Sequence, residues 1–367
     1  MTGVTGHGPW PGTDVVEAQS LVVGSLTEVP SEVTGMPFAV QLGARGPAAD
    51  ATGRAVAQLV DLPVELGAHG WKLSDGRGRD GARAQSLLGE DLDALAIAAL
   101  GYAGPLVVPV TGPLTLAARL YLARGDLVLS DVGALHELAE SFAAGVGEHL
   151  AAVRRAVPGA EVRLLVHEPE LERVLAGTVR SFSGYSALRS VPGPVAVERL
   201  GALVDATRAA GAVAVVVAAG AGRSALTTVG SARADALAVP VTGLGDAAWE
   251  RLAESHERGT GLWLDLPDAS SAAPGGDRGA GDPGPADRGR SSRGGPERGR
   301  PSAGSDVPAT ADLVVRPWRR VGLPLVGLRD VVLLPAPPTA ATTPDEARAA
   351  LGRTIRVAQV VAERAEG

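Results

Sequence analysis

Val162-Arg163-Leu164-Leu165-Val166-His167-Glu168-Pro169 is a short apolar run that stops on an ionisable pair and a proline. Val162, Leu164, Leu165 and Val166 have the pattern of a buried strand. Pro169 ends it, because proline cannot donate to a ladder. Burying His167 and Glu168 is costly unless each has a partner or a task. In parallel α/β folds, chemistry gathers at the C-terminal ends of strands. His167 and Glu168 are therefore the candidate catalytic pair. The alternative is a Glu168 neutralised by an arginine at a strand end, with no chemical role.

The same signature recurs along the chain. Apolar runs at Leu106–Val110, Val162–Val166, Val213–Val217, Leu237–Val239, Gly261–Leu264 and Val331–Leu334 predict strands, with weaker ones near Thr5–Gly8 and Leu62–Leu66. Helical stripes lie between them. Leu135, Leu138, Phe142, Val146, His149, Leu150 and Val153 share one face, and Val197, Leu200, Leu203, Val204 and Thr207 share another. Leu351, Ile355, Ala358 and Val361 predict a last helix, with Thr343 as N-cap and Pro344 at its first position. Strand then helix, about eight times, is the pattern of a parallel sheet. In 367 residues it suits a single (β/α)8 TIM barrel spanning 1–367; a doubly wound sheet is the alternative.

Hydrophobic residues make up 45% of the chain and aromatic ones only 3%, so aliphatic side chains must build the core. Lys72 is the only lysine. A net charge of −7 argues against a nucleic-acid partner. The chain has no cysteine, which excludes disulfides, thiolate metal ligands and cysteine nucleophiles. Met1–Asp14 lacks the pattern of a signal peptide, and no run of about 18 apolar residues could span a bilayer. The expectation is a cytoplasmic protein with no membrane partner.

Asp268–Asp306 breaks the pattern. It holds ten glycines and five prolines, six acids and six arginines, and no Val, Leu, Ile, Met or aromatic residue. Such a stretch cannot bury enough surface to offset the entropy of ordering. It is expected to be a disordered Gly/Pro/Arg-rich loop after the seventh strand. Deleting it should leave the melting temperature nearly unchanged, a result read directly by calorimetry.

Other motifs add candidates. Gly6-His7-Gly8-Pro9-Trp10-Pro11-Gly12-Thr13-Asp14 is a glycine loop that lets backbone approach a ligand, with Trp10 as a cover and Thr13 or Asp14 as a helix cap. Gly220-Ala221-Gly222-Arg223-Ser224-Ala225 follows a strand and matches G-x-G-x-x-A, with Asp246 further on. It can be read as a dinucleotide fingerprint, a phosphate site on a helix N-terminus or a plain turn. The six histidines form no H-x-H or H-x-x-x-H pair, and there is no G-x-S-x-G elbow.

Taken in order, Gly6–Gly12, then Ala44-Arg45-Gly46-Pro47-Ala48-Ala49-Asp50, then Val110-Thr111-Gly112-Pro113-Leu114-Thr115-Leu116, then Glu168-Pro169 resemble the C-terminal catalytic barrel of cobalamin-independent methionine synthase. That family shares a superfamily with uroporphyrinogen decarboxylase. The resemblance covers nearly the whole chain outside Asp268–Asp306. It implies methyl transfer to the thiol of homocysteine, with zinc presenting the thiolate. By the same resemblance Gly6, His7, Gly8, Trp10 and Glu168 would bind the substrate, and His167 would stand where the family's Asp-Glu-Pro motif has its Asp. The zinc ligands do not carry over. Their places hold Val216-Val217-Ala218-Ala219, Val239-Pro240 and Leu334-Pro335-Ala336-Pro337-Pro338. No metal and no cofactor are expected. The chain is expected to be a methionine synthase-like barrel of altered or lost activity, a possible pseudoenzyme of methionine biosynthesis, with a small-molecule partner such as homocysteine or a folate. The alternatives are a non-catalytic binding barrel, or a metal-free decarboxylase-like lyase using Arg45, Asp50 and Arg54.

Overall fold

Eight short parallel strands carry the architecture, in a computed structural model that describes residues 1–76, 78–268 and 307–366. They are β1 (Thr2–Val4), β2 (Val33–Gly35), β3 (Ala103–Thr111), β4 (Gly159–His167), β5 (Ala214–Ala218), β6 (Ala236–Pro240), β7 (Gly261–Asp265) and β8 (Val332–Leu334). The ladder runs β2-β1-β8-β7-β6-β5-β4-β3, all parallel. A single parallel bridge between Phe38 and Val107 joins its two edges, so the sheet curls into a nearly closed (β/α)8 barrel. The single-barrel expectation holds for the described residues, and residues 269–306 of the expected loop lie outside them.

The join between β2 and β3 is thin for a reason written in the sequence. A residue in a parallel strand turns its N–H and C=O to the same neighbour. Val107 turns both to the β2 side, donating to Pro37 O at 2.8 Å and accepting from Ala39 N at 2.9 Å. The residues two positions either side are Pro105 and Pro109, which have no N–H to give. Side chains take their carbonyls instead. Gln41 Nε2 donates to Pro109 O at 2.8 Å and the Tyr102 hydroxyl to Pro105 O at 2.8 Å.

Two weak strand expectations are corrected. Thr5–Gly8 is not a strand; β1 ends at Val4 and the glycines form the loop after it. Leu62–Leu66 is not in the barrel; Val64–Gly67 pairs antiparallel with Gly70–Leu73 in a separate hairpin. The second barrel strand is Val33–Gly35, three residues bounded by Pro30 and Pro37 and too short to show as an apolar run.

The long helices follow their stripes. Val132–Ala156 buries Leu135, Leu138, Phe142, Val146, Leu150 and Val153, and Asp131 caps it by accepting from Ala134 N at 2.9 Å. Each such side chain contributes roughly 1.5–3 kcal/mol on burial. Gly193–Ala209 and Pro344–Arg364 are the other two, the latter opened by a capping box between Thr343 and Glu346. Among the described residues no helix is long and apolar enough to cross a membrane.

Candidate functional site

The register of the sheet brings three side chains to one rim. His167 is the last residue of β4, level with Thr111 on β3 and Ala218 on β5. Asp265 is the last residue of β7, level with Pro240 and Leu334. His7 lies in the loop just past β1. All three therefore sit at the C-terminal mouth, where barrel chemistry is placed. His167 reaches across and its Nε2–H donates to the His7 carbonyl oxygen at 2.8 Å. The two imidazoles lie 5.5 Å apart. His7 Nε2 stands 3.3 Å from Asp265 Oδ1, and neither of these buried atoms has a hydrogen bond. Burial, helped by the neighbouring His7, lowers the His167 pKa to about 4, so His167 is neutral near pH 7.

Glu168 faces elsewhere. Successive residues of a strand point to opposite faces, and the ladder continues through Glu168 N, which donates to Ala218 O at 2.7 Å. The carboxylate, fully buried, lies at the start of the short helix Pro113–Ala117. It accepts from Leu114 N at 2.9 Å, Thr115 N at 2.7 Å and the Thr115 hydroxyl at 2.6 Å. Its pKa is nevertheless raised to about 7, because burial outweighs the donors. The arginine pairs belong to Glu170, which meets Arg119 at 3.0 Å and Arg173 at 2.7 Å.

A cavity of about 390 Å³ opens beside His7, lined also by Gly6, Trp10, Phe38, Arg353 and Asp268. Trp10 and Phe38 rest against each other, centroids 6.2 Å apart. Gly6 is required here, since a Cβ would fall 2.4 Å from the Phe38 ring. Gly8 does not line the cavity. Its φ of +106° and its packing on Pro109 turn the loop, so that Trp10 N can donate to Gln41 O and Gln41 N to Gly8 O. Arg353 lies 3.8 Å from Asp268 across the cavity wall. Glu346 also borders it, with its carboxylate committed to the cap of the last helix. Thus Gly6, His7 and Trp10 share one cavity, His167 touches it through the His7 backbone, and Gly8 and Glu168 stand apart.

Asp265 and Arg353 were missed. Asp265 carries the signal that singled out His167, an ionisable residue closing an apolar strand. Arg353 carries none, being one arginine among many on a helix.

The other motifs resolve into structural contacts. Arg45 and Arg54 both pair with the buried Asp91, and Asp50 Oδ1 caps its helix by accepting from Gly53 N. None of the three lines the cavity. Gly222 opens the helix Arg223–Ser231, but Glu172 already occupies that N-terminus, accepting from Ala225 N at 2.8 Å. Asp246 pairs with Arg320.

Among the described residues no three His, Cys, Asp or Glu side chains are grouped to hold a metal. His167 Nε2 is spent on a carbonyl, and the chain offers no thiolate.

No family model matches this chain, and no curated protein matches it in sequence. Among solved structures it is similar to a B12-independent methionine synthase from Shewanella sp. W3-18-1, in complex with selenomethionine. The TM-score is 0.54 at 11% identity, covering 99% of this chain and 97% of that one. That likeness shows the barrel fold. The carboxyl transferase domain of Rhizobium etli pyruvate carboxylase matches at 12% identity and TM-score 0.24, over 69% of this chain and 41% of that one, and bears on neither fold nor function.

Proposed function

We propose that this methionine synthase-like barrel binds a small zwitterionic amino acid, of the size of homocysteine or methionine, at its C-terminal mouth, without the zinc-dependent methyl transfer that the family resemblance implies. The observation that carries it is the cavity beside His7. Its volume of about 390 Å³ falls in the range of roughly 300–1,000 Å³ usual for small-molecule sites. Trp10 and Phe38 supply an apolar wall suited to a thioether or thiol side chain. Arg353 offers a fork for a carboxylate and Asp268 an acceptor for an ammonium. The selenomethionine bound to the neighbouring synthase is a ligand of this chemistry. A fold this distant lends plausibility and no residue assignment.

Calorimetric titration tests the reading. Methionine and homocysteine are expected to bind, while N-acetylmethionine and methionine methyl ester, each lacking one charge, bind at least tenfold more weakly. Arg353→Met should weaken methionine by about tenfold or more, as loss of a charge-assisted contact does. No heat from either amino acid at millimolar concentration refutes it.

A further inference from the structure

Resting on that ligand reading, we infer that a histidine–aspartate pair stands in for the metal at this mouth: His7 takes the proton of a bound thiol amino acid, and Asp265 supports the imidazolium that forms. The geometry selects the atoms. His7 Nε2 faces Asp265 Oδ1 at 3.3 Å, and both atoms are buried with no hydrogen bond elsewhere. Such a carboxylate holds the imidazole proton on Nε2, leaving the Nδ1 lone pair free. Nδ1 makes no hydrogen bond and is not among the buried unpartnered atoms, so it is the nitrogen a ligand can reach. Polar pairs of this kind are commonly long before the ligand arrives.

His167 is a positioning residue. Its Nε2–H holds the His7 carbonyl, which fixes the backbone from which the imidazole hangs. Because it is neutral near pH 7, it adds no charge against the new imidazolium. The groups facing His7 are Asp265 from β7 and His167 from β4. Asp268, Glu346 and Arg353 border the same cavity. The transfer balances without a co-reactant. The S–H bond breaks, its electron pair stays on sulfur, and an N–H bond forms at Nδ1. The product is a thiolate–imidazolium pair, the form in which thiols act as nucleophiles.

The test follows the ultraviolet absorbance of bound homocysteine against pH, with methionine binding as control. On the wild-type protein the thiol should ionise at least about one pH unit below its value in free solution, a tenfold gain in thiolate. His7→Gln should abolish that displacement while methionine still binds measurably, and Asp265→Asn should reduce it. If His7→Gln does not fold, Asp265→Asn alone carries the comparison. A thiol that ionises at its free-solution value on the wild type, or a displacement that survives both substitutions, overturns the inference and leaves the ligand reading standing. If neither amino acid binds, both fall together.

Discussion

Glu168 sets the chemistry of its surroundings through stability. Its folded pKa of about 7 lies above its ordinary 4.5, so the fold holds this proton more tightly than the unfolded chain does. Between those values the stability it contributes is lost as pH rises, by on the order of 3 kcal/mol. His167 and His149 act in the opposite sense. Burial lowers both to about 4 from 6.5, so their contribution is full above pH 6.5 and is lost as pH falls towards 4. Urea denaturation across pH 4.5 to 7 should therefore show Glu168→Gln gaining on the wild type as pH rises, and His149→Gln losing less stability than the wild type on the acid side. Glu168→Ala should cost about 3 kcal/mol at pH 5, because it strands two backbone N–H groups and the Thr115 hydroxyl. An unchanged denaturation midpoint would remove Glu168 from the fold's framework. The sequence showed that His167 and Glu168 were costly to bury. It also held the means to separate them, since neighbours on a strand face opposite ways. Their nearness in the chain concealed a division between the mouth and a helix terminus.

At the scale of elements, ion pairs and caps fix the layer outside the barrel. Asp91 joins Arg45 and Arg54 across three segments and is itself buried. Asp91→Ala leaves the buried Arg54 guanidinium without its carboxylate and Arg45 with only Glu90, and should cost about 3–5 kcal/mol by chemical denaturation. Thr343→Ala removes one side of the capping box and should cost about 1 kcal/mol. A similar loss at both positions would mean that the Arg45–Asp91–Arg54 group is solvated. Elements were legible where periodicity had room to repeat, as in Val132–Ala156, Pro344–Arg364 and the nine-residue β4. β2 spans three residues and has no period to detect. Val64–Gly67 has the composition of a barrel strand, but the turn after it, with Gly70 at a φ of +128°, sends the chain straight back. Local composition does not encode which partner a strand will find.

For the whole molecule, the repeated strand–helix rhythm was enough to specify the barrel, because few architectures bury so many short parallel strands. The cavity was not legible, since it joins the loop after β1 to residues near Ala336 and Arg353 at the far end of the chain. Elemental analysis of the purified protein should find far less than one zinc per chain. One tightly held zinc per chain would contradict the donor set at the mouth. The pair of prolines on β3 has a consequence for motion. A cylinder whose seam has backbone bonds only at Val107, helped by the Gln41 side chain on Pro109 O, has a preferred place to part. Amide hydrogens of Val107 and Ala39 should exchange with solvent sooner than those shared by β4 and β5, and any breathing that admits a ligand should start along that line, within reach of the loop that bears His7.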